Sequence, residues 1–169
     1  MKFLSRFSKE NRKKIEWHHI GSGKSEKELK SLAKKLEHSM FKIKFIGYLE
    51  NRKIFDYYKN NAFDYFITLS ESEGLPVSLM EASSVGLPII ATNVGGIGEI
   101  VYEDKNGFLL SSKPGYDEFK EKFLKAWKAK INQRNYLSLR QNSRQIYEEN
   151  FNAKTSFERF AMKLKELEV

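Results

Sequence analysis

The sequence predicts an α/β fold in which a parallel sheet is flanked by helices and followed by a helical carboxyl-terminal tail. Three observations support this prediction. Short apolar runs alternate with segments of helical periodicity from Ile15 to Leu110, which is typical of a parallel sheet with helical crossovers. From Tyr116 to Leu167 the pattern is helical almost throughout. Apolar residues make up 40% of the 169 residues, enough for one packed core.

Each strand is predicted where a short apolar run is bounded by glycine or by a polar turn. The first run ends at Gly21-Ser22-Gly23, and Asn106-Gly107 makes a tight turn into the last run. The predicted strands are, in chain order, Ile15–Ile20, Phe41–Ile46, Tyr65–Leu69, Leu87–Ala91 and Phe108–Leu110.

Each helix is predicted where apolar residues recur on one face. In the first such segment, leucine and alanine side chains recur at helical spacing. Pro76 in the first turn and Gly86 at the end are typical bounds of a helix. The predicted helices are Glu26–Leu36, Lys53–Asn60, Pro76–Val85, Asp117–Lys130, Arg134–Asn150 and Lys154–Leu167, with a brief helical turn at Gly98–Tyr102.

The net charge of +8 favours anionic partners, such as phosphate-bearing small molecules or an anionic membrane surface. Lysines are spread along residues 24–35 and 120–130, which is equally typical of a solvated helix surface. No RNA-recognition, zinc-finger or helix-turn-helix signature accompanies the charge. Nucleic acid is therefore not predicted as a partner.

Composition also bears on the compartment. No apolar run approaches the ~18 residues needed to cross a bilayer. Residues 1–7 are too interrupted by charge to form a signal peptide. The chain has no cysteine, which excludes disulfides and fits a cytoplasmic protein. We therefore expect a cytoplasmic protein, with a peripheral position at the inner face of a membrane left open.

Two local motifs resemble a phosphate-binding loop and a metal site, but neither has the residues that such a site requires. Gly23-Lys24-Ser25 resembles the end of a phosphate-binding P-loop, but His18 occupies a position where that motif requires glycine. Gly21 and Gly23 are better interpreted as a tight strand-to-helix turn. His18 and His19 are adjacent on a strand, so their side chains point to opposite faces and cannot share one metal ion. No metal site is predicted.

The chemistry is concentrated in the stretch from Ser70 to Val101. A small polar loop after a strand leads to Glu73 and Gly74, and a helix follows from Pro76. The start of a helix presents unpaired N–H groups and a positive dipole, which suits a diphosphate. Glu81 lies further along the helix, and its carboxylate is expected to face back toward the first turn. Two carboxylates would then flank a phosphate-sized site and accept hydrogen bonds from sugar hydroxyls. The alternative is a capping glutamate and a solvated one.

This stretch resembles glycosyltransferase family 4, a large group of retaining enzymes with the GT-B fold. The hallmark of that family is a pair of glutamates separated by seven residues, and Glu73-Gly74 and Glu81-Ala82 match it without gaps. The resemblance covers nearly the whole chain. It extends through the segments Gly86–Thr92, Val94–Gly96 and Glu99–Val101, and back to Ile20–Gly23 and Phe45–Tyr48.

The resemblance implies a Rossmann-like fold and the metal-independent transfer of a sugar from a nucleotide-sugar donor to an acceptor glycan or glycolipid, with retention of configuration. Cell-envelope polysaccharide biosynthesis is one setting in which the family works. Glu73 would be the catalytic-site residue that holds hydroxyls of the donor sugar, without acting as a covalent nucleophile. Glu81 would accept from the ribose hydroxyls. No cofactor is implied beyond the nucleotide-sugar substrate.

The remaining implied donor-binding residues contribute mainly backbone groups. Those at the start of the predicted helix would bind the sugar and the diphosphate, and those at two earlier strand ends would lie near the base or border the inter-domain cleft. They are Gly74, Leu75, Val77, Ser78, Gly21, Gly23, Gly47 and Tyr48.

A GT-B enzyme has two Rossmann-like domains, and this chain resembles only the carboxyl-terminal, donor-binding one over residues 1–169. The implied partner is an amino-terminal acceptor domain, on the same or a separate chain. Residues 1–14 resemble the end of a helix that follows the family's basic phosphate loop, so the first strand and that loop are expected to be absent. Arg6 and Lys9 do not stand in the place of the loop's cations.

Two expectations follow from this comparison. Without the cationic loop the diphosphate leaving group loses electrostatic stabilisation, so the isolated chain is expected to transfer no sugar. The terminal helix of a GT-B enzyme crosses back to the other domain, so the phenylalanines of Lys154–Leu167 are expected to be partly exposed. Two alternative functions stay open, a non-catalytic nucleotide-sugar-binding module and a basic peripheral protein on anionic lipid.

Overall fold

The computed structural model describes residues 1–167, which form two compact units, one from Met1 to Tyr57 and one that begins at Tyr58. The helices are α1 Lys2–Asn11, α2 Glu26–Leu36, α3 Asn51–Asn60, α4 Val77–Ser84, α5 Tyr116–Ile131, α6 Gln133–Asn150 and α7 Ala153–Leu167. The strands are β1 Ile15–Ile20, β2 Phe41–Gly47, β3 Phe66–Thr68, β4 Ile89–Thr92 and β5 Gly107–Leu110. The predicted α/β fold of parallel strands flanked by helices is confirmed.

The amino-terminal unit contains a two-stranded parallel sheet. Ile15 of β1 lies opposite Phe41 of β2, and the strands remain in register until a bulge near the end of β1. Phe7 of α1 and Phe41 are fully buried, so the apolar side of α1 covers the unit's core. Ser8 of the same helix is also buried, and its Oγ lies 2.6 Å from the carbonyl oxygen of Lys13.

The carboxyl-terminal unit contains a three-stranded parallel sheet in the order β3-β4-β5. All four residues of β4 are buried, which is typical of a central strand in a sheet covered on both faces. Asn106 lies fully buried before β5, donating from Nδ2 to the carbonyl oxygen of Ile100 and accepting from the N–H of Tyr102. The predicted turn into the last strand is therefore confirmed. The core cluster consists of Leu79, Ile89, Ala91, Val94, Ile97, Ile100 and Val101.

One predicted element was wrong. The helical turn expected at Gly98–Tyr102 is instead a 3₁₀ helix at Gly95–Glu99. Gly95 has a φ of 53°, and the N–H of Gly96 donates to the carbonyl oxygen of Gly74 at 2.8 Å. The turn therefore begins where a glycine permits left-handed backbone and where a distant loop supplies a hydrogen-bond acceptor.

The helical tail follows the prediction, with boundaries that differ by at most one residue. Phe157 and Phe160 of α7 are 71% and 59% exposed, as expected for the terminal helix. Among the described residues no helix combines the length and the apolar character needed to cross a membrane.

Candidate functional site

The carboxylate of Glu73 is oriented by a chain of hydroxyl groups at the carboxyl ends of β3 and β4. Ser70 Oγ donates to Glu73 Oε1 at 2.7 Å. Thr68 Oγ1 lies 3.0 Å from the same Ser70 Oγ, and Thr92 Oγ1 donates to the Ser70 carbonyl oxygen at 2.6 Å. Because the last residues of two neighbouring strands hold Ser70, the half-buried Glu73 side chain is set relative to the sheet itself.

The backbone of Glu73 and Gly74 runs against a pair of glycines. A Cβ atom added to Gly95 would lie 1.7 Å from the Glu73 carbonyl oxygen, and one added to Gly96 would lie 2.8 Å from that of Gly74. Real Cβ atoms do not approach so closely, so side chains are excluded at both glycines. The two glycines therefore fix the loop that carries Glu73 by allowing it to approach closely.

The first turn of α4 is open at its start. Pro76 precedes Val77 in an extended conformation, and none of the described side chains caps the helix. The first N–H groups of any α-helix lack intrahelical acceptors, and the helix dipole adds positive potential there. Val77 and Ser78 are exposed. Their N–H groups stand at a terminus whose chemistry suits an anionic ligand.

Glu81 lies four residues after Val77, and therefore on the same side of α4. Burial raises the pKa of the Glu81 carboxyl above its ordinary value. Within residues 1–167 this carboxylate has no ion-pair partner. Burial raises the pKa of Tyr58 to about 12, and the charge of Glu81 contributes to that shift. A half-buried carboxylate without a cation is well suited to accept hydrogen bonds from ligand hydroxyls.

The far end of α4 is held by α6. Ser143 Oγ, which is buried, donates to the Leu87 carbonyl oxygen at 2.7 Å. Arg140 donates to the Val85 carbonyl oxygen at 3.4 Å, and Arg144 to that of Ser84. Guanidinium groups complement the negative end of a helix dipole. These contacts position α4, and with it Val77, Ser78 and Glu81.

The predicted residues of the amino-terminal unit lie at the carboxyl ends of its strands. The N–H of Gly21 donates to the Gly47 carbonyl oxygen at 2.8 Å, and the φ angles of these glycines are 120° and 77°. Gly23 accepts from the N–H of Glu26, the first residue of α2, so the predicted strand-to-helix turn is confirmed. Tyr48 is 74% exposed.

The two adjacent histidines point to opposite faces of β1, as predicted. His18 Nδ1 lies 2.7 Å from the Tyr57 hydroxyl, and its Nε2 lies 2.5 Å from Glu16 Oε1. The His19 ring packs against Trp17 and Phe45 instead. Within the described residues no group of three or more His, Cys, Asp or Glu side chains is arranged to hold a metal ion.

Each unit thus brings some predicted residues together. Glu73 and Gly74 meet the Gly95-Gly96 pair in one unit, and Gly21 meets Gly47 in the other. Sequence reasoning did not identify Ser70 as the residue that orients Glu73, nor Tyr58 as a neighbour of Glu81. A serine three residues before the first glutamate was a usable signal. The sequence gives no signal that Tyr58 lies near Glu81, because a strand and a loop separate the two residues along the chain.

The chain matches known proteins over much of its length. The family described as Glycosyl transferases group 1 matches residues 2–145. An uncharacterised glycosyltransferase of Methanocaldococcus jannaschii is 34% identical over 107 residues, which cover 62% of this chain and 28% of that protein. The O-antigen biosynthesis glycosyltransferase WbnH of Escherichia coli is 32% identical over 95 residues, covering 56% of this chain and 25% of that protein.

A solved structure supports the fold. The crystal structure of the pneumococcal O-GlcNAc transferase GtfA, in complex with UDP and GlcNAc, has a TM-score of 0.73 at 24% sequence identity. The match covers 98% of this chain and 32% of that one. The chain therefore spans about a third or less of the length of these three relatives.

Proposed function

The chain belongs to the family of glycosyl transferases group 1, and from that premise we propose that it supplies the donor-binding half of a nucleotide-sugar-dependent glycosyltransferase. The observation that carries the proposal is the start of α4, which no described side chain caps and which lies in the chain between the oriented Glu73 and the half-buried Glu81. Glu73 is oriented by Ser70, and Glu81 is half-buried, with no cationic partner in the described part of the chain.

The three parts of a nucleotide sugar correspond to three features of this segment. Glu73, with both carboxylate oxygens available as acceptors beside the single Ser70 donor, holds hydroxyls of the sugar. The N–H groups of Val77 and Ser78 bind the diphosphate at the helix start. Glu81 accepts from the ribose hydroxyls. Because Ser70, Gly95 and Gly96 fix the loop before any ligand arrives, little ordering entropy opposes binding.

The finer assignment rests on the resemblance to glycosyltransferase family 4. It comprises transfer with retention of configuration, without a metal ion, to a glycan or glycolipid acceptor in the cytoplasm. The relatives support this setting, since one is described as an O-antigen biosynthesis glycosyltransferase and another is complexed with UDP and GlcNAc. Retention is tested on the complete enzyme by the anomeric proton coupling in the product, and a product of inverted configuration would exclude this family.

The donor-binding half requires complements. Among the described residues, β1 is hydrogen-bonded to another strand only along its β2 side. An all-parallel sheet of two strands is marginal by itself. The open edge of β1 supports the proposal that a further parallel strand, with a cationic loop for the diphosphate, completes this unit, and that an acceptor-binding domain completes the enzyme.

Donor binding is tested by titrating nucleotide sugars into the chain, and into Glu73→Ala and Glu71→Ala variants. Glu71 is a matched control, since it is an exposed glutamate in the same loop with no hydrogen bond or ion pair to the rest of the described chain. Loss of a charged hydrogen bond costs about 1.5–3 kcal/mol, so Glu73→Ala should weaken binding about 10- to 100-fold. Equal effects of the two substitutions would argue against the proposal.

A further inference from the structure

The charge of the chain is distributed unequally between the two units. Met1–Tyr57 holds 15 Lys and Arg residues against 7 Asp and Glu, whereas the rest of the chain holds 15 of each. The whole net charge of +8 therefore belongs to the amino-terminal unit. Because the excess positive charge is concentrated in one unit, it creates a local positive potential there and is not spread evenly over the protein surface.

Hydrogen bonds gather several basic segments of this unit at the amino ends of its strands. Ser5 Oγ donates to the carbonyl oxygen of Leu36 at 2.7 Å, which joins α1 to the end of α2. Ser8 Oγ lies 2.6 Å from the Lys13 carbonyl oxygen and 2.9 Å from that of Met40. The end of α1, the loop before β1, the end of α2 and the start of β2 therefore form one continuous surface.

Six cationic side chains on these segments are exposed and have no ion-pair partner within residues 1–167. We call them the basic face, and they are Lys9, Arg12, Lys14, Lys34, Lys35 and Lys42. The nearby carboxylates are already engaged. Glu10 pairs with Arg6 at 2.8 Å, and Glu37 Oε1 accepts from the N–H of Ile43 at 2.9 Å. The positive charge of the basic face is therefore not neutralised locally.

We propose that the basic face binds the headgroup layer of an anionic membrane. Five of its six cations are lysines, which act as point charges toward phosphate and need no fixed bidentate geometry. Phe41, on one of the segments that carry the basic face, is fully buried and the His38 ring is partly buried, so the face offers little of the stacking surface with which proteins bind single-stranded nucleic acid. Dispersed lysines suit a fluid layer of lipid phosphates better than they suit the rigid groove of a nucleic-acid duplex.

Within the amino-terminal unit, the basic face lies at the amino end of β1, and the donor-site residues predicted in this unit lie at the carboxyl ends of its strands. Lys14 precedes β1, whereas Gly21 follows it, and a strand of this length spans about 20 Å. A membrane bound at the amino end therefore leaves the carboxyl end accessible. Vesicle binding is independent of the proposed donor site, so saturating nucleotide sugar should not displace the chain from vesicles, and Glu73→Ala should bind vesicles like the unmodified chain.

The proposal is tested by co-sedimentation with vesicles of equimolar phosphatidylcholine and phosphatidylglycerol, and with vesicles of phosphatidylcholine alone. The test variant is Lys34→Glu/Lys35→Glu. The matched control is Lys113→Glu/Lys128→Glu, which changes the net charge by the same amount at exposed lysines of the carboxyl-terminal unit. Each lysine near an anionic surface contributes about 1 kcal/mol, a factor of about five. The test variant should therefore lower the partition coefficient at least about 25-fold, and the control should change it little.

Binding to the anionic vesicles should weaken as salt is raised and be absent with phosphatidylcholine alone. Three results would overturn the proposal. These are no sedimentation with anionic vesicles at low salt, an equal loss in the test and control variants, and tighter binding to a DNA or RNA duplex than to vesicles at the same ionic strength. Thermal unfolding of each variant verifies that the exposed substitutions leave the fold intact.

Discussion

Gly95→Ala should displace the Glu73 loop and thereby weaken donor binding. The added methyl group would lie 1.7 Å from the Glu73 carbonyl oxygen, which is a backbone atom and cannot move away by changing rotamer. The loop that carries Glu73 must shift, and the hydrogen bond from Ser70 to Glu73 will be strained or lost.

The expected loss in the free energy of unfolding of Gly95→Ala has two parts. Gly95 has a φ of 53°, and in a residue with a Cβ atom this left-handed backbone conformation destabilises the folded state by about 1–2 kcal/mol. Overpacking against a fixed neighbour adds about 1–3 kcal/mol. We therefore expect the free energy of unfolding to fall by about 2–5 kcal/mol. Where the variant is still folded, misplacement of Glu73 should weaken nucleotide-sugar binding about 10- to 100-fold.

Gly98→Ala is the matched control within the same turn. Its Cβ atom would lie 3.2 Å from Asn93 Oδ1, a side-chain atom that can rotate, and its φ lies outside the left-handed range. Urea denaturation gives the stability of both variants, and titration calorimetry at a temperature where both are folded gives the affinity. If Gly95→Ala binds nucleotide sugar as the unmodified chain does, while losing stability as expected, the loop does not form the donor site.

Three further results are expected. Because burial raises the pKa of Glu81 in the folded state, the stability that its protonated form confers is present below the unfolded pKa and is lost as the pH rises through the folded pKa. Glu81→Gln should therefore melt higher than the unmodified chain at pH 7 but not below about pH 4, and a melting series with no pH-dependent difference would contradict this. Ser143→Ala leaves the Leu87 carbonyl oxygen without its buried donor, and should lower the free energy of unfolding by about 1–3 kcal/mol in urea denaturation. The chain by itself should transfer no sugar, so product formation from a radiolabelled nucleotide sugar would contradict its assignment as half of a site.

The fold could be predicted wherever a segment contains local signals that mark where an element begins and ends. β1 and α2 were predicted to the residue, since glycine closes the strand and a regular apolar spacing marks the helix. The 3₁₀ helix at Gly95–Glu99 was misplaced because its start depends on the Gly96–Gly74 hydrogen bond. No local pattern reveals a contact between a loop and a segment some 20 residues later in the chain.

For the candidate site, the two glutamates could be predicted from the sequence, but the groups that orient them could not. Glu73 and Glu81 were predicted from the resemblance to the paired glutamates of glycosyltransferase family 4 and from the helix start between them. The hydroxyl chain through Ser70 and Thr92 was not, because it exists only when β3 and β4 lie side by side. The proximity of Tyr58 to Glu81 likewise depends on tertiary packing. A sequence motif thus predicts candidate ligand-binding groups, whereas the groups that orient them become visible only in the fold.

The assignment of Glu73 to the sugar and Glu81 to the ribose is tested most directly by saturation-transfer NMR on bound nucleotide sugars. The unmodified chain should transfer saturation to both the sugar-ring and the ribose protons. Glu73→Ala should weaken the sugar-ring signals selectively, and Glu81→Ala the ribose signals. If a nucleotide sugar binds and neither substitution changes its pattern, the donor site lies elsewhere and the account of this segment is wrong.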